Sequence, residues 1–395
     1  MGAKFDNTFK FSSAALNLNR GHPSLGITLI WVAQILLSYV GYAPAFLSMV
    51  YSSIFHDDFS KICTNLGLAI LFCIISFNHG LLIVYRKHFN DMIKITEENI
   101  EISKKMCPGD EFVIKEYTEK GKWAAKFWLT MCCITGGMFF CKAIVGTLYF
   151  SLQGNLTLVP IYDVIYPAYI EERKNYLYMY FLIFGWQSFY IVYTSFMYIG
   201  FNPLGPIFLM QACGQIEIVI RQVRRLFMND NIDLEESVKN LKDIAHHIEN
   251  IYRYQTHKAV YEMCLNTTAI TVPVSCFGII QVIHSLLLNI ELMCFACAAT
   301  MQCYMPCYYC ELLVSKGEDL RIAMYSCGWE RHWMPRTRST ILVMLIRTAH
   351  PLGIHAVFCT IPLIFYNSLS HFFFLCLRIA TDLNFYAIRV TWTVE

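Results

Sequence analysis

The stretch "MQCYMPCYYCELL", residues 301–313, places Cys303, Cys307 and Cys310 at the C-x3-C-x2-C spacing that can hold an iron–sulfur cluster. Cluster cysteines need a loop that wraps around the metal. On a helix the three positions are i, i+4 and i+7, which share one face. The run around them is uncharged up to Glu311, and Pro306 bends such a helix rather than opening it. Buried free cysteine behaves as a small hydrophobe, so packing is the favoured reading and no metal or cofactor is expected. The twelve histidines give no H-x3-H or H-x2-H-H box and no H-E-x-x-H pair. His246, His247 and His257 fall on a charged helical segment, where a solvated face is the simpler explanation. Phosphate- and dinucleotide-binding glycine patterns are missing too. No catalytic constellation emerges, and the chain is not expected to be an enzyme.

What must position these residues is a membrane. Of 395 residues 56% are hydrophobic and 15% charged, against about a quarter charged in a soluble protein. Mean hydropathy is +0.43, and uncharged runs long enough to cross a bilayer, about 20 residues, recur along the chain. The composition predicts a single all-α membrane domain over 1–395, with seven transmembrane helices at roughly 25–55, 62–84, 127–150, 175–201, 264–288, 292–313 and 339–371. Membrane lipid is the partner that composition demands, and no nucleic acid is expected. The polar first 24 residues and the long apolar run after them do not have the form of a cleavable signal.

The apolar run from about Asn175 to Ile216 could be two spans, or one span that continues as a cytosolic helix. Basic residues concentrate on the cytoplasmic side. With seven spans and the N-terminus inside, 24 Lys and Arg lie inside and 5 outside. Splitting the run would move the basic segment 221–258 outside, so the single span is preferred and the C-terminus is expected outside. The sequon at Asn155 then lands in an outer loop, as N-glycosylation requires. Segments 85–126 and 221–258 carry apolar residues at helical spacing, for instance Leu241, Ile244, Ile248 and Ile251. They are expected to extend the spans below the membrane as packed helices.

Two blocks near the end carry a family resemblance. "YYCELLVSKGEDLRIAMYSCGWE" (308–330), through Leu320, Ala323, Tyr325 and Trp329, resembles the block where helix six ends in insect odorant receptors. "RSTILVMLIRTAHPLGI" (338–354), through Met344, Arg347, Pro351 and Leu352, resembles the block that follows it. Length, span number and inverted topology agree with that family, whereas the ending, with Arg378, Asp382 and Arg389, departs from it. The resemblance implies an odorant-gated cation channel in the plasma membrane of a sensory dendrite. A tuning subunit pairs there with a shared co-receptor, helix seven lines the pore and the cytosolic helix ends form an anchor. Gustatory-type, G-protein-coupled and transporter-like readings are the alternatives. Their Thr-Tyr…Gln-Phe ending, acidic-Arg-aromatic triplet with Asn-Pro-x-x-Tyr, and half-to-half symmetry are missing.

The resemblance places the odorant pocket in the outer half of the bundle, between helices two, three, four and six. An apolar pocket with few polar groups suits a volatile ligand. The outer halves supply Phe72, Met138, Phe139, Phe140, Tyr149, Tyr180, Phe184, Trp186 and Met301. Lys142, a charge within span three, is expected to meet a polar ligand group or a counter-charge such as Asp163 or Glu171. Tyr325, Trp329 and Arg347 are the candidates for subunit assembly.

Overall fold

The computed structural model describes residues 5–26, 28–55, 59–154, 157–174, 176–227, 234–255, 290–331 and 335–349. Among these the chain is helical, without strands. Two short helices, α1 (Phe5–Thr8) and α2 (Lys10–Leu18), precede α3 (Leu29–Phe55), α4 (Phe59–Val84), α5 (Arg86–Ser103) and α6 (Pro108–Leu152). After α7 (Ala168–Glu171) come α8 (Leu177–Phe201), α9 (Leu204–Leu226), α10 (Leu234–Gln255), α11 (Ile290–Tyr325) and α12 (Pro335–Thr348). Expected spans one to four and six therefore each lie on a helix. Span five and most of span seven lie outside the described residues, as does the atypical ending.

Helix α6 sets the frame. Its 45 residues, at 1.5 Å rise, run about 68 Å, roughly twice the ~30 Å hydrocarbon thickness of a bilayer. Ile144, Val145 and Leu148, in its apolar C-terminal half, are more than half exposed. On a membrane helix such a surface meets lipid tails, and α3 shows the same exposure at Leu36, Leu37 and Val40.

One antiparallel seam follows α6 throughout. Phe140 meets Phe184 with ring centroids 6.3 Å apart, and Trp128 stacks on Tyr198 at 6.4 Å. Gly136 faces Ile191, Gly121 faces Ile207, and Tyr117 faces Gly214. At the far end Arg225 donates to both oxygens of buried Asp110, at 2.9 and 3.0 Å. Moving towards the start of α6, the partners advance steadily through α8 and into α9. Helix α9 thus prolongs the course of α8 and does not turn back across the membrane. The break between them falls at Asn202 and Pro203, where a proline has no N–H to continue the ladder. The long apolar run thus forms two helices that follow one course along α6.

Helix α9 is apolar because it is enclosed, not because it meets lipid. Every side chain from Leu204 to Ile216 is buried, within a jacket of α6, α10 and α11. Buried polar groups in it are paired. Gln211 Nε2 donates to Thr118 Oγ1 at 2.9 Å, and His247 Nε2–H on α10 donates to Gln215 Oε1 at 2.9 Å. His246 is exposed as expected, but His247 is turned inward, and burial lowers its pKa. Lys316 of α11 donates to Glu217 Oε2 at 2.9 Å and to Asp319 Oδ2 at 3.2 Å. Burial is the largest single influence and works against its ammonium, but the bonds to Glu217 and Asp319 together with the nearby Glu217 and Tyr117 charges outweigh it and hold the Lys316 pKa above the ordinary value.

The N-terminal segment is not a loose tail. Phe5, Phe9 and Leu16 are buried, the backbone N–H of Phe5 donates to Glu97 Oε1 at 2.6 Å, and α2 packs across α8. That crossing is possible because position 200 is glycine. A Cβ there would lie 3.0 Å from the Leu16 side chain and 3.2 Å from its backbone nitrogen. Gly200→Ala is therefore expected to destabilise the fold by about 1–3 kcal/mol, read as a lower Tm of the purified protein. Gly185→Ala, where an added Cβ meets nothing within 4 Å, should not.

Candidate functional site

A cavity of about 90 Å³ opens among α4, α6, α8 and α11, the four helices between which the resemblance placed a pocket. One stripe of α6 forms a wall: Trp128, Met131, Cys132, Thr135, Gly136 and Phe139, spaced i, i+3, i+4, i+7, i+8 and i+11. Helix α8 gives the same kind of stripe with Tyr190, Ile191, Thr194, Ser195 and Tyr198. Leu68, Leu71 and Ile74 of α4 and Ala298 and Gln302 of α11 complete the sides. Tyr162, from the segment between α6 and α7, also lines it. Helix approach is closest where the residues are small. A Cβ on Gly136 would lie 3.3 Å from Ile191.

The lining is largely aromatic and aliphatic, yet it carries four buried polar groups: Trp128 Nε1 and Thr135 Oγ1 make no hydrogen bond within the chain, and the Tyr198 hydroxyl and the Gln302 amide have each other as polar neighbours. Buried polar groups are normally satisfied, and leaving one unpaired costs about 1–3 kcal/mol. The volume is several times the roughly 10–15 Å³ that one water needs. An apolar molecule with one or two oxygen atoms would fill the space and give these groups partners. The site contains no charge and no set of metal-ligating side chains among the described residues.

Of the ten side chains anticipated for the ligand, Phe139 lines this cavity. Phe140 and Phe184 face each other instead. Phe72 stacks on Phe46 at 4.3 Å, and Tyr180 donates to the Val159 carbonyl at 3.0 Å. Tyr149 and Trp186 are exposed, 56% and 41%, on the surface of the bundle. Met138, Lys142 and Met301 are half-buried and not part of the lining. Glu171, one suggested counter-charge for Lys142, is engaged by Lys174 and by the Tyr166 N–H.

The remaining candidates sit elsewhere. Arg347 lies 3.4 Å from Glu249 of α10, and Trp329 packs against its own subunit's core, whereas Tyr325 is 66% exposed. Asn155 lies outside the described residues. Residues 303–310 are continuous helix within α11, so the three cysteines are strung along it rather than gathered in a loop, and Cys310 is buried. The sequence reading passed over the polar members of the cavity, Thr135, Thr194, Ser195 and Gln302. Their signal was present: a polar residue inside an apolar span faces the bundle interior.

The architecture is shared with solved proteins. The insect olfactory receptor OR5 from Machilis hrabei, in complex with eugenol, aligns at a TM-score of 0.76 with 15% identity, over 95% of this chain and 98% of that one. The OR5 structure described without that ligand aligns at 0.74 with 14% identity, over 94% and 96%. A sequence model described as 7tm Odorant receptor matches residues 58–374. Comparison with curated proteins gives no match.

Because the Thr135 hydroxyl has no partner, Thr135→Val loses no hydrogen bond. Its expected effect on the purified, ligand-free protein is at most about 1 kcal/mol, of stabilising sign. Thermal or denaturant unfolding measures it.

Proposed function

The chain belongs to the 7tm odorant receptor family, and we propose on that premise that it is the ligand-binding subunit of a heteromeric, odorant-gated cation channel. The observation that carries the reading is the cavity among α4, α6, α8 and α11, apolar in its walls and supplied with the buried polar groups of Trp128, Thr135, Tyr198 and Gln302. Such a site suits a hydrophobic volatile with an alcohol, phenol, carbonyl or ester oxygen. Eugenol, present in one OR5 structure, has that balance of ring and oxygen. In this reading Trp128 Nε1 donates to a ligand oxygen, and the Thr135 and Tyr198 hydroxyls donate or accept. Gln302 Nε2 is a further donor. Phe139, Tyr162 and Tyr190 supply ring contacts.

The subunit resides in the plasma membrane of a sensory dendrite with its N-terminus in the cytosol, as the bias of basic residues requires. Helix seven lines the pore and a shared co-receptor completes the channel. Assembly uses the cytosolic helix ends, where Ile322 and Tyr325 on α11 and Val343 and Ile346 on α12 are all at least 60% exposed. Exposed apolar patches of this kind mark contact surfaces. Trp329 and Arg347 stiffen that region from within the subunit, and Asn155 carries glycan on the outer face. Lys142 acts outside the cavity, in the polar contacts of span three.

Co-expression with a co-receptor should give odorant-evoked cation currents. Silence across a broad panel, with surface expression confirmed, would refute the proposal. Tyr198→Phe and Gln302→Leu should each lower potency about 5- to 30-fold for oxygenated odorants, read as the half-maximal concentration of the current. Responses to hydrocarbons of the same shape should be unchanged.

A further inference from the structure

The segment 159–166 leaves α6 and turns back into the end of the bundle. Ile161, Tyr162 and Val164 are 0%, 4% and 6% exposed, unusual for residues in a connecting loop. Its backbone is held by side chains of five helices. At its two ends Thr147 Oγ1 of α6 accepts from the Val159 N–H at 3.0 Å and Glu171 Oε2 of α7 accepts from the Tyr166 N–H at 3.1 Å. Gln187 of α8 makes four bonds. Its Oε1 accepts from the N–H of Ile161 (3.0 Å) and Tyr162 (3.2 Å), and its Nε2 donates to the Tyr162 carbonyl (3.2 Å) and the Tyr166 hydroxyl (3.0 Å). Opposite it, Ser52 Oγ of α3 accepts from the Ile165 N–H at 2.9 Å, and Asn65 Nδ2 of α4 donates to the Asp163 carbonyl at 3.2 Å. Tyr162 sits at the centre, its ring 5.2 Å from Phe139 and edge-on to Tyr190 at 6.1 Å. All three rings line the cavity.

We propose that residues 159–166 form a latched lid, with Tyr162 as the plug that closes the cavity and Gln187 as the latch. Ligand enters and leaves through its opening. No β-ladder holds the segment; side-chain amides, hydroxyls and one carboxylate do, at the end of the bundle. Segments held in this way open at free energies well below global unfolding. Buried Ile161, Tyr162 and Val164 then set how seldom the lid opens. Gln187 is a positioning residue, acting on the ligand through Tyr162 and the barrier to exchange.

The inference rests on the receptor reading and is tested so that the two can fail separately. The probe is the most potent agonist from a panel of aliphatic alcohols, esters and methoxyphenols, applied by fast perfusion to the full receptor with its co-receptor. Gln187→Leu, which keeps bulk but removes all four bonds, should speed current onset and washout together by about tenfold. Tyr166→Phe, which removes one of the four, should do so about two- to threefold and keeps the test available if Gln187→Leu fails to reach the surface. Unchanged rates in variants at the surface would overturn the lid. So would faster washout with unchanged onset, the signature of a fixed wall. No agonist response from the wild type would overturn the receptor reading and the lid with it.

Discussion

The antiparallel seam between α6 and the α8–α9 pair is the constraint on which the rest of the molecule depends. Helices in lipid gain little from hydrophobic burial against one another, so close approach and paired polar groups must hold them together. This seam uses both. Gly121, Gly136 and Gly214 bring side chains of the opposite helix within 3.2–3.6 Å of where a Cβ would stand. Asp110 with Arg225 and Thr118 with Gln211 add paired polar contacts at the end away from the cavity. Because α6 is single and continuous, both ends of the seam belong to one rigid rod.

That rod bears on function. The cavity stripe of α6 ends at Trp128, and three turns below it Tyr117 packs against Gly214 of the enclosed helix α9. Helix α11 has the same double membership. Ala298 and Gln302 touch the cavity, while Lys316, four turns on, is bonded to Glu217 of α9. On the proposed reading, a ligand that spreads α6, α8 and α11 acts through helices whose far ends meet in one packed cluster. Such a cluster resists continuous deformation, since close-packed interiors move between discrete arrangements. The Lys316 pair adds resistance, because separating a partly buried charge pair leaves both charges poorly solvated.

Much of this was legible in the sequence, for physical reasons. Uncharged runs reported the spans, since lipid excludes charge. The sorting of basic residues favoured one span over two for 175–216, and in the structure α8 and α9 follow one course along α6. Leu241, Ile244, Ile248 and Ile251 announced a packed α10 by their spacing, and all four are buried. The cavity was harder to find. Taking aromatic and aliphatic residues from the outer halves put forward Phe72, Tyr149 and Trp186, but in a membrane protein large apolar side chains are as welcome outside as inside. What separates the two faces is polarity and smallness, and Thr135, Gly136, Thr194, Ser195 and Gln302 carried it. The inward turn of His247 was hidden for a related reason. Its partner Gln215 is 32 residues away, and no local pattern joins them.

The same reasoning accounts for the two segments least visible in the sequence, the docked N-terminus and the loop over the cavity. Neither has a long apolar period, because each is held mainly by side chains of other helices. For the N-terminus these are Glu97 and the space at Gly200; for the loop they are Gln187, Asn65 and Ser52. Asn65 and Gln187 are buried polar residues in apolar spans, a costly placement unless every donor and acceptor finds a partner. Both bond to the backbone of one short segment, and Asn65 also donates to the Ser52 hydroxyl and Gln187 to that of Tyr166. The bundle has therefore spent buried polarity at two positions to fix a loop at its end, while Trp128 Nε1 and Thr135 Oγ1 in the cavity below make no hydrogen bond within the chain. The contrast assigns the two sets different roles: the first holds the protein to itself, and the second is free to hold something else.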